Sequence, residues 1–229
     1  MKSVIEQRLA DVKKRIEAAK TKDSGEITLI AVTKTHPPCI INEAIECGVT
    51  DIGENKVQEI LDKYDKVKPV RWHLIGHLQT NKVKYIIDKV CLIHSVDSKK
   101  LLDEINRQAK KHSLVMDVLI QINITGEETK YGIKPEETED ILMYAAGLEH
   151  VRVLGLMTIM AKGDSEISTT LHFNDIYNKF IDFSSKKYDN VIMKYLSMGM
   201  SGDFELAVSC GSNMVRVGSA IFGERDYSM

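Results

Sequence analysis

No apolar run in this chain is long enough to span a bilayer. The first residues, Met1-Lys-Ser-Val-Ile-Glu, are charged and helix-like where a secretory signal would carry an apolar core. An excess of one charge is also missing. The 31 basic and 33 acidic residues give a net charge of −2 and are mixed along the chain with no sustained basic block. Binding to nucleic acid or to a membrane surface is therefore not expected. Paired cysteine spacing is absent, so Cys39, Cys47, Cys91 and Cys210 read as free thiols in a reducing, cytoplasmic compartment. His73 and His77 stand four apart without the glutamate pattern or cysteines of a metal site, and no metal is expected. No linker, low-complexity stretch or second-domain boundary breaks the chain. One domain over residues 1–229 is the expectation, and 43% hydrophobic content suffices for its core.

What is present is an alternation. Residues 2–22 place Val4, Ile5, Leu9, Val12 and Ile16 at helical spacing, which predicts an amphipathic N-terminal helix within 1–24 that packs on the rest. Strand-like segments follow at 27–33, 50–53, 70–75, 91–95, 116–123, 151–158, 194–198 and 213–217. Helix-like stretches at 37–48, 55–65, 79–88, 98–112, 135–147, 168–187 and a short one from 202 separate them. Asp117-Val-Leu-Ile-Gln-Ile-Asn123 and Val151-Arg-Val-Leu-Gly-Leu-Met157 are apolar almost throughout, as strands covered on both faces must be. The fold class predicted is α/β, a single (β/α)8 TIM barrel with an extra N-terminal helix, because right-handed βα units close most simply at eight. A doubly wound open sheet is the alternative. The lack of Gly-x-Gly-x-x-Gly after the first strand argues against its dinucleotide-binding form.

In a barrel, the residues just past each strand form one face. Collected in order, they are Lys34; Gly53-Glu-Asn55; His73 with Gly76-His77-Leu-Gln79; His94 and Asp97; Asn123 with Thr129-Lys-Tyr-Gly132; Met157 and Thr158; Ser197-Met-Gly-Met-Ser-Gly202; and Arg216-Val-Gly-Ser219. This set is poor in free carboxylates. Lys34 ends a buried strand and precedes the break Thr35-His-Pro-Pro38. An amine desolvated at such a place gains neutral character and can condense with an aldehyde. The plainer account of Lys34 is a strand-end lysine reaching into water. Opposite it, the small residues around Ser201 and at Gly218-Ser219 suit an anion at a helix N-terminus, in the loops where barrels hold phosphate. A lysine facing a phosphate cradle fits an aldehyde that bears a phosphate, namely pyridoxal 5′-phosphate (PLP).

Read together, Ala31-Val-Thr-Lys34, Gly53-Glu-Asn55, Trp72-His-Leu-Ile-Gly76, Leu78-Gln79, Asn81-Lys82, Leu119-Ile-Gln-Ile-Asn123, Gly155-Leu-Met157, Gly199-Met-Ser201, Met214-Val-Arg-Val-Gly218 and Ile221-Phe-Gly223 run in order over essentially the whole chain. In these motifs it resembles the pyridoxal-phosphate homeostasis proteins. The resemblance implies a barrel like the N-terminal domain of alanine racemase, with PLP held as a Schiff base on Lys34. It further implies that Ser201, Gly218 and Ser219 hold the phosphate, that Asn55 lies beside the ring, and that Arg216 lies near the ring nitrogen or phosphate edge. Met200 is expected to line the cofactor. His77 is given no essential role, because some family members carry another residue there.

The functional expectation is a PLP-binding protein of intracellular PLP homeostasis, a monomer supplying cofactor to PLP-dependent apo-enzymes with little or no catalysis and no catalytic residue. If Arg216 faces the ring nitrogen, a guanidinium offers it no proton acceptor and leaves the ring a poor electron sink. The chain also ends at Met229, with no room for the β-domain that completes a racemase site. A small single-domain amino-acid racemase and a barrel acting on a phosphorylated metabolite are the competing readings. Lys130, on the same face as Lys34, would suit a transimination relay, although a solvated loop lysine is the plainer account.

Overall fold

The computed structural model describes residues 3–22, 24–127, 129–161 and 163–223. Residues 1, 2 and 23 of the expected N-terminal segment, Glu128 of the Lys130 loop, and the chain end at 224–229 lie outside the described residues. Eight strands follow one another: β1 (Thr28–Val32), β2 (Asp51–Glu54), β3 (Arg71–Leu74), β4 (Leu92–Val96), β5 (Met116–Gln121), β6 (Val151–Met157), β7 (Val191–Ser197) and β8 (Met214–Val217). Each pairs in parallel with the next, and β8 returns to β1 through registers such as Ile30 with Arg216. The sheet is therefore a closed barrel in chain order, and closure leaves no unpaired edge. The open-sheet alternative is excluded.

Helices clothe the barrel: α1 (Val4–Ala19), α2 (Pro38–Glu46), α3 (Val57–Lys63), α4 (Lys99–Lys111), α5 (Thr138–Ala146), α6 (Glu166–Ser184), α7 (Phe204–Ser209) and α8 (Ser219–Phe222). The side chain of Ser3 caps α1 by accepting from the Glu6 N–H, and Ile5, Leu9, Val12 and Ile16 form the buried stripe. That stripe docks on α7 and α8, where Arg15 makes a two-point ion pair with Glu205 at 3.0 and 2.7 Å. The large core lies between the barrel wall and its helices. A smaller one, of Ile30, Leu92, Leu119, Leu154, Met157 and Met214, fills the barrel interior.

Three local departures from the sequence expectation have physical reasons. The 79–88 segment buries Val83, Ile86 and Ile87 as its spacing demands, but it closes as a 3-10 turn over Thr80–Tyr85, with Ile86 N–H bonded to the Val83 carbonyl. Strand β7 begins at Val191, three residues before the expected 194, and its first residues alternate half-buried and exposed, the pattern of a strand covered on one face only. Helix α8 has only four residues, too few to show a period.

Gly155 carries part of the barrel's geometry. Its φ is +140°, and a Cβ there would stand 1.9 Å from the Tyr195 carbonyl oxygen on β7. The β6–β7 register shifts at this point, between Val153 and Gly155. Gly155→Ala is expected to cost about 3 kcal/mol through overpacking and a disfavoured φ. Urea unfolding checks this, and a loss below about 1 kcal/mol would show that the β6–β7 seam yields to a methyl group.

Candidate active site

Lys34 sits two residues beyond the end of β1, in a turn built by buried charge. Thr33 is fully buried and donates its hydroxyl to Glu54 Oε1 at 2.7 Å. From α3, Lys63 extends beneath the turn and donates to Glu54 Oε1 at 2.8 Å, to Glu59 Oε2 at 2.8 Å and to the Thr33 carbonyl at 3.0 Å. Glu59 in turn accepts from the Thr35 N–H at 2.6 Å. Both neighbours of Lys34 are thus tied to one ion-paired cluster. Thr35 adopts φ 69°, a left-handed conformation costly for a β-branched residue, and the cluster holds it there. Burial raises the Glu54 carboxyl above the ordinary carboxylate range, with Lys63 opposing. Its second oxygen is buried with no partner among the described residues.

Above this turn opens a cleft of about 840 Å³ at the carboxyl ends of the strands. All seven binding residues expected from the sequence line it: Lys34, Asn55, Met200, Ser201, Arg216, Gly218 and Ser219. Asn55 is fixed by close packing, because a Cβ on Gly76 would meet the Asn55 carbonyl oxygen at 2.3 Å. The Ser201 loop is stapled by Asp203, whose Oδ1 accepts from the Met200 N–H at 2.6 Å. The hydroxyl oxygen of Ser201 then accepts from the Gly218 N–H at 3.0 Å and the Ala220 N–H at 3.4 Å. Those amides begin α8, and because they satisfy the Ser201 oxygen, its hydroxyl proton is left to donate, with the Ser219 hydroxyl on the same cleft.

Arg216 is buried in the cleft floor, although β8 is otherwise apolar. Its Nη1 donates to Ser197 Oγ at 2.6 Å and its Nη2 to the Thr158 carbonyl at 2.8 Å. Burial pulls this guanidinium down to about 10, with Asp203 opposing, so it remains charged at neutral pH. No Asp or Glu lines the cleft among the described residues.

Sequence order alone misplaced two histidines. His73 and His94 are not at the mouth. They lie within β3 and β4, almost or fully buried, and bond to each other at 3.0 Å inside the barrel. The residues before a strand's last alternate between wall and interior, and these two face inward. Lys130 lines an adjoining groove with Met200 and Asp203 and pairs with Glu127 at 2.8 Å. Tyr85 is exposed, while Trp72 is buried against Tyr64. Tyr131, collected at the mouth from the sequence but given no role there, enters the cleft and stacks on His77 with ring centroids 3.7 Å apart. An aromatic in a glycine-flanked loop was the available signal.

The family model of the alanine racemase N-terminal domain matches residues 7–226. An alanine racemase from Clostridium difficile 630, solved with cycloserine, shares the fold at a TM-score of 0.72 and 17% identity, covering 97% of this chain and 61% of that one. Fold and cleft therefore define a barrel of the alanine racemase N-terminal class. Two relatives are named pyridoxal phosphate homeostasis protein. That of Aquifex aeolicus is 45% identical over 96% of this chain and 98% of its own length, and that of Escherichia coli K12 is 38% identical over 98% of each. PipY of Synechococcus elongatus, solved with PLP bound, matches at a TM-score of 0.84 and 31% identity, over 96% of this chain and 100% of its own. The chain belongs to the pyridoxal phosphate homeostasis protein family.

Removing Lys63 isolates the charge it pairs. Lys63→Met is expected to cost about 3–5 kcal/mol at pH 7.5, the usual penalty for breaking a buried pair. Because the folded pKa of Glu54 lies above its unfolded value, the folded state binds more protons between the two, and stability rises as pH falls through that window. In the variant the window extends upward, so its deficit relative to the parent narrows at pH 5.5. Denaturant unfolding at both pH values reads this, and an equal deficit at both would place the loss elsewhere.

Proposed function

We propose that this protein binds PLP in the Lys34 cleft, as a Schiff base on Lys34, and serves intracellular PLP homeostasis by supplying the cofactor to apo-enzymes with little or no turnover of its own. The observation that carries this reading is the placement of a lysine amine and an anion cradle on one cleft. Lys34 follows β1, and Ser201 and Gly218 follow β7 and the neighbouring β8, so the amine and the hydroxyl line one cleft. The residues present fit the cofactor. An aldehyde needs an amine, which Lys34 supplies, and a phosphate needs hydroxyl donors, which Ser201 and Ser219 supply. The solved PipY with PLP bound supports the reading.

When bound, PLP supplies an electrophilic aldehyde and a ring able to accept electron density. This chain's residues do the holding. Ser201, Gly218 and Ser219 would hold the phosphate, with the Ser201 hydroxyl, which already accepts from the Gly218 and Ala220 amides, left to donate its own proton and Ser219 adding a second hydroxyl. Asn55 and Met200 would flank the ring. Arg216, near the ring nitrogen or phosphate edge, offers donors only and cannot take a proton. With no carboxylate lining the cleft among the described residues, nothing beside the ring favours a protonated pyridine. That environment suits capture and release of a reactive aldehyde by a single subunit more than racemisation.

Absorbance spectra of the purified protein with added PLP test the reading. A yellow band in the parent, absent or shifted in Lys34→Ala, is the expected result, and no band in either protein would remove the assignment. Ser201→Ala is expected to weaken PLP binding at least about tenfold, since it removes a hydrogen bond to a charged group. Loaded protein is expected to reactivate a PLP-dependent apo-enzyme, and steady turnover of an added amino acid would favour the racemase reading instead.

A further inference from the structure

The barrel interior holds a row of polar groups that the cleft does not account for. Arg216 Nη1 bonds to Ser197 Oγ at 2.6 Å, and Ser197 Oγ lies 3.1 Å from His94 Nδ1. His94 Nε2 lies 3.0 Å from His73 Nδ1, and His73 Nε2 lies 2.9 Å from Asp51 Oδ1. Asp51 opens β2 at the opposite end of the barrel, where Arg71 clamps it at 2.7 and 2.6 Å. Four hydrogen bonds therefore run from the cleft floor, through an interior otherwise packed with Leu92, Leu154 and Met214, to the far face.

The two ends fix the direction of every bond between them. A guanidinium can only donate, so Ser197 accepts from Arg216 and offers its one proton to His94 Nδ1. His94 then carries its proton on Nε2 and donates to His73 Nδ1. His73 in turn carries its proton on Nε2 and donates to Asp51. Burial pushes the Asp51 carboxyl up, but the bonds from His73, Arg71 and Thr50 outweigh it and hold the group well below the usual range, so the terminal acceptor stays ionised. Burial keeps His94 well below the ordinary histidine range, with His73 and Arg216 adding to the effect. Cys91 Sγ, 3.6 Å from His73 Nε2, competes only weakly with a carboxylate for that proton. The other arrangement compatible with ionised Asp51 puts an imidazolium at His73. That would bury a second cation beside a carboxylate already matched by Arg71.

We propose that Asp51, remote from the cleft, is a positioning residue for Arg216. It polarises a one-way chain, Arg216 to Ser197 to His94 to His73 to Asp51, and the chain sets the orientation of the guanidinium in the cleft floor. Bonds aligned head to tail strengthen one another, so a change at Asp51 is felt at Arg216.

Two measurements test this. Long-range proton–nitrogen correlation spectra of the histidine-labelled full chain, without PLP, are expected to show the Nε2–H tautomer at His73 and His94. An Nδ1–H tautomer or an imidazolium at either residue overturns the chain. In Asp51→Asn both tautomer preferences are expected to weaken, and unchanged spectra would remove Asp51 from control. The second measurement rests on the PLP reading of the cleft. Asp51→Asn and Ser197→Ala are expected to weaken PLP binding about fivefold and to shift its visible band, with Ser197→Thr restoring the parent values. A variant that melts at a lower temperature but keeps the parent band and affinity would show a structural role only and overturn the positioning claim. If the parent itself gives no band, the PLP reading fails, and the histidine spectra of parent and Asp51→Asn decide the chain by themselves.

Discussion

The ion pair between Lys63 and Glu54 is the constraint on which the cleft depends. A strand end is not by itself a place where a lysine is held still, because the chain leaves the hydrogen-bond ladder there and gains freedom. Here the residues on both sides of Lys34 are anchored to one buried cluster, Thr33 through Glu54 and Lys63, and Thr35 through Glu59. The cluster holds Thr35 at φ 69° against its steric preference. Its stability cost is real, because Glu54 keeps one oxygen unpartnered in the interior. A fold shaped only for stability would fill this place with aliphatic side chains. Its presence beneath Lys34, the lysine that lines the cleft among the described residues, fits a turn whose geometry outweighs local stability.

The same logic appears across the cleft, where backbone replaces side chain. Ser201, Gly218 and Ala220 meet because Asp203 fixes one loop and α8 begins at once after β8. None of these donors is charged. The two amides satisfy the Ser201 oxygen, so the polar donors left to the cleft are hydroxyl protons, and the one buried cation nearby, Arg216, is engaged by Ser197 and Thr158.

Much of this was legible in the residue order. The barrel followed from eight apolar segments and the helices between them, because each βα unit has a fixed hand and length. The cleft-lining residues followed from a rule of topology, since whatever stands just past a strand lies at the mouth, while their expected roles came from the family resemblance. That rule failed where it was applied inside a strand. His73 stands one residue and His94 two before their strands' last residues, Leu74 and Val96, and a residue inside a strand faces wall or interior by parity. Ranges off by one residue at an end, such as 70–75 and 91–95, cannot resolve parity. Nor could pattern reveal the Lys63 cluster, because Glu54, Glu59 and Lys63 read as ordinary charges on a strand end and an amphipathic helix. Only the folded distances show that they meet.

Barrel interiors are usually filled by branched aliphatic residues in layers, and the core of Ile30, Leu92, Leu119, Leu154, Met157 and Met214 obeys this. Two histidines, a serine, an arginine and an aspartate threaded through the same space break the pattern at a cost, since each polar group there must find a partner or lose its hydration unpaid. They meet that demand among themselves, with a donor at one end and an ionised acceptor at the other. The arrangement is brittle: a single apolar replacement leaves unmatched groups on both sides of the break. It is also specific, because only one assignment of protons keeps both histidines neutral beside an ionised Asp51. An apolar barrel would hold its shape as well, but it would leave Arg216 without a partner on its Ser197 side, free to turn away from the cleft it floors.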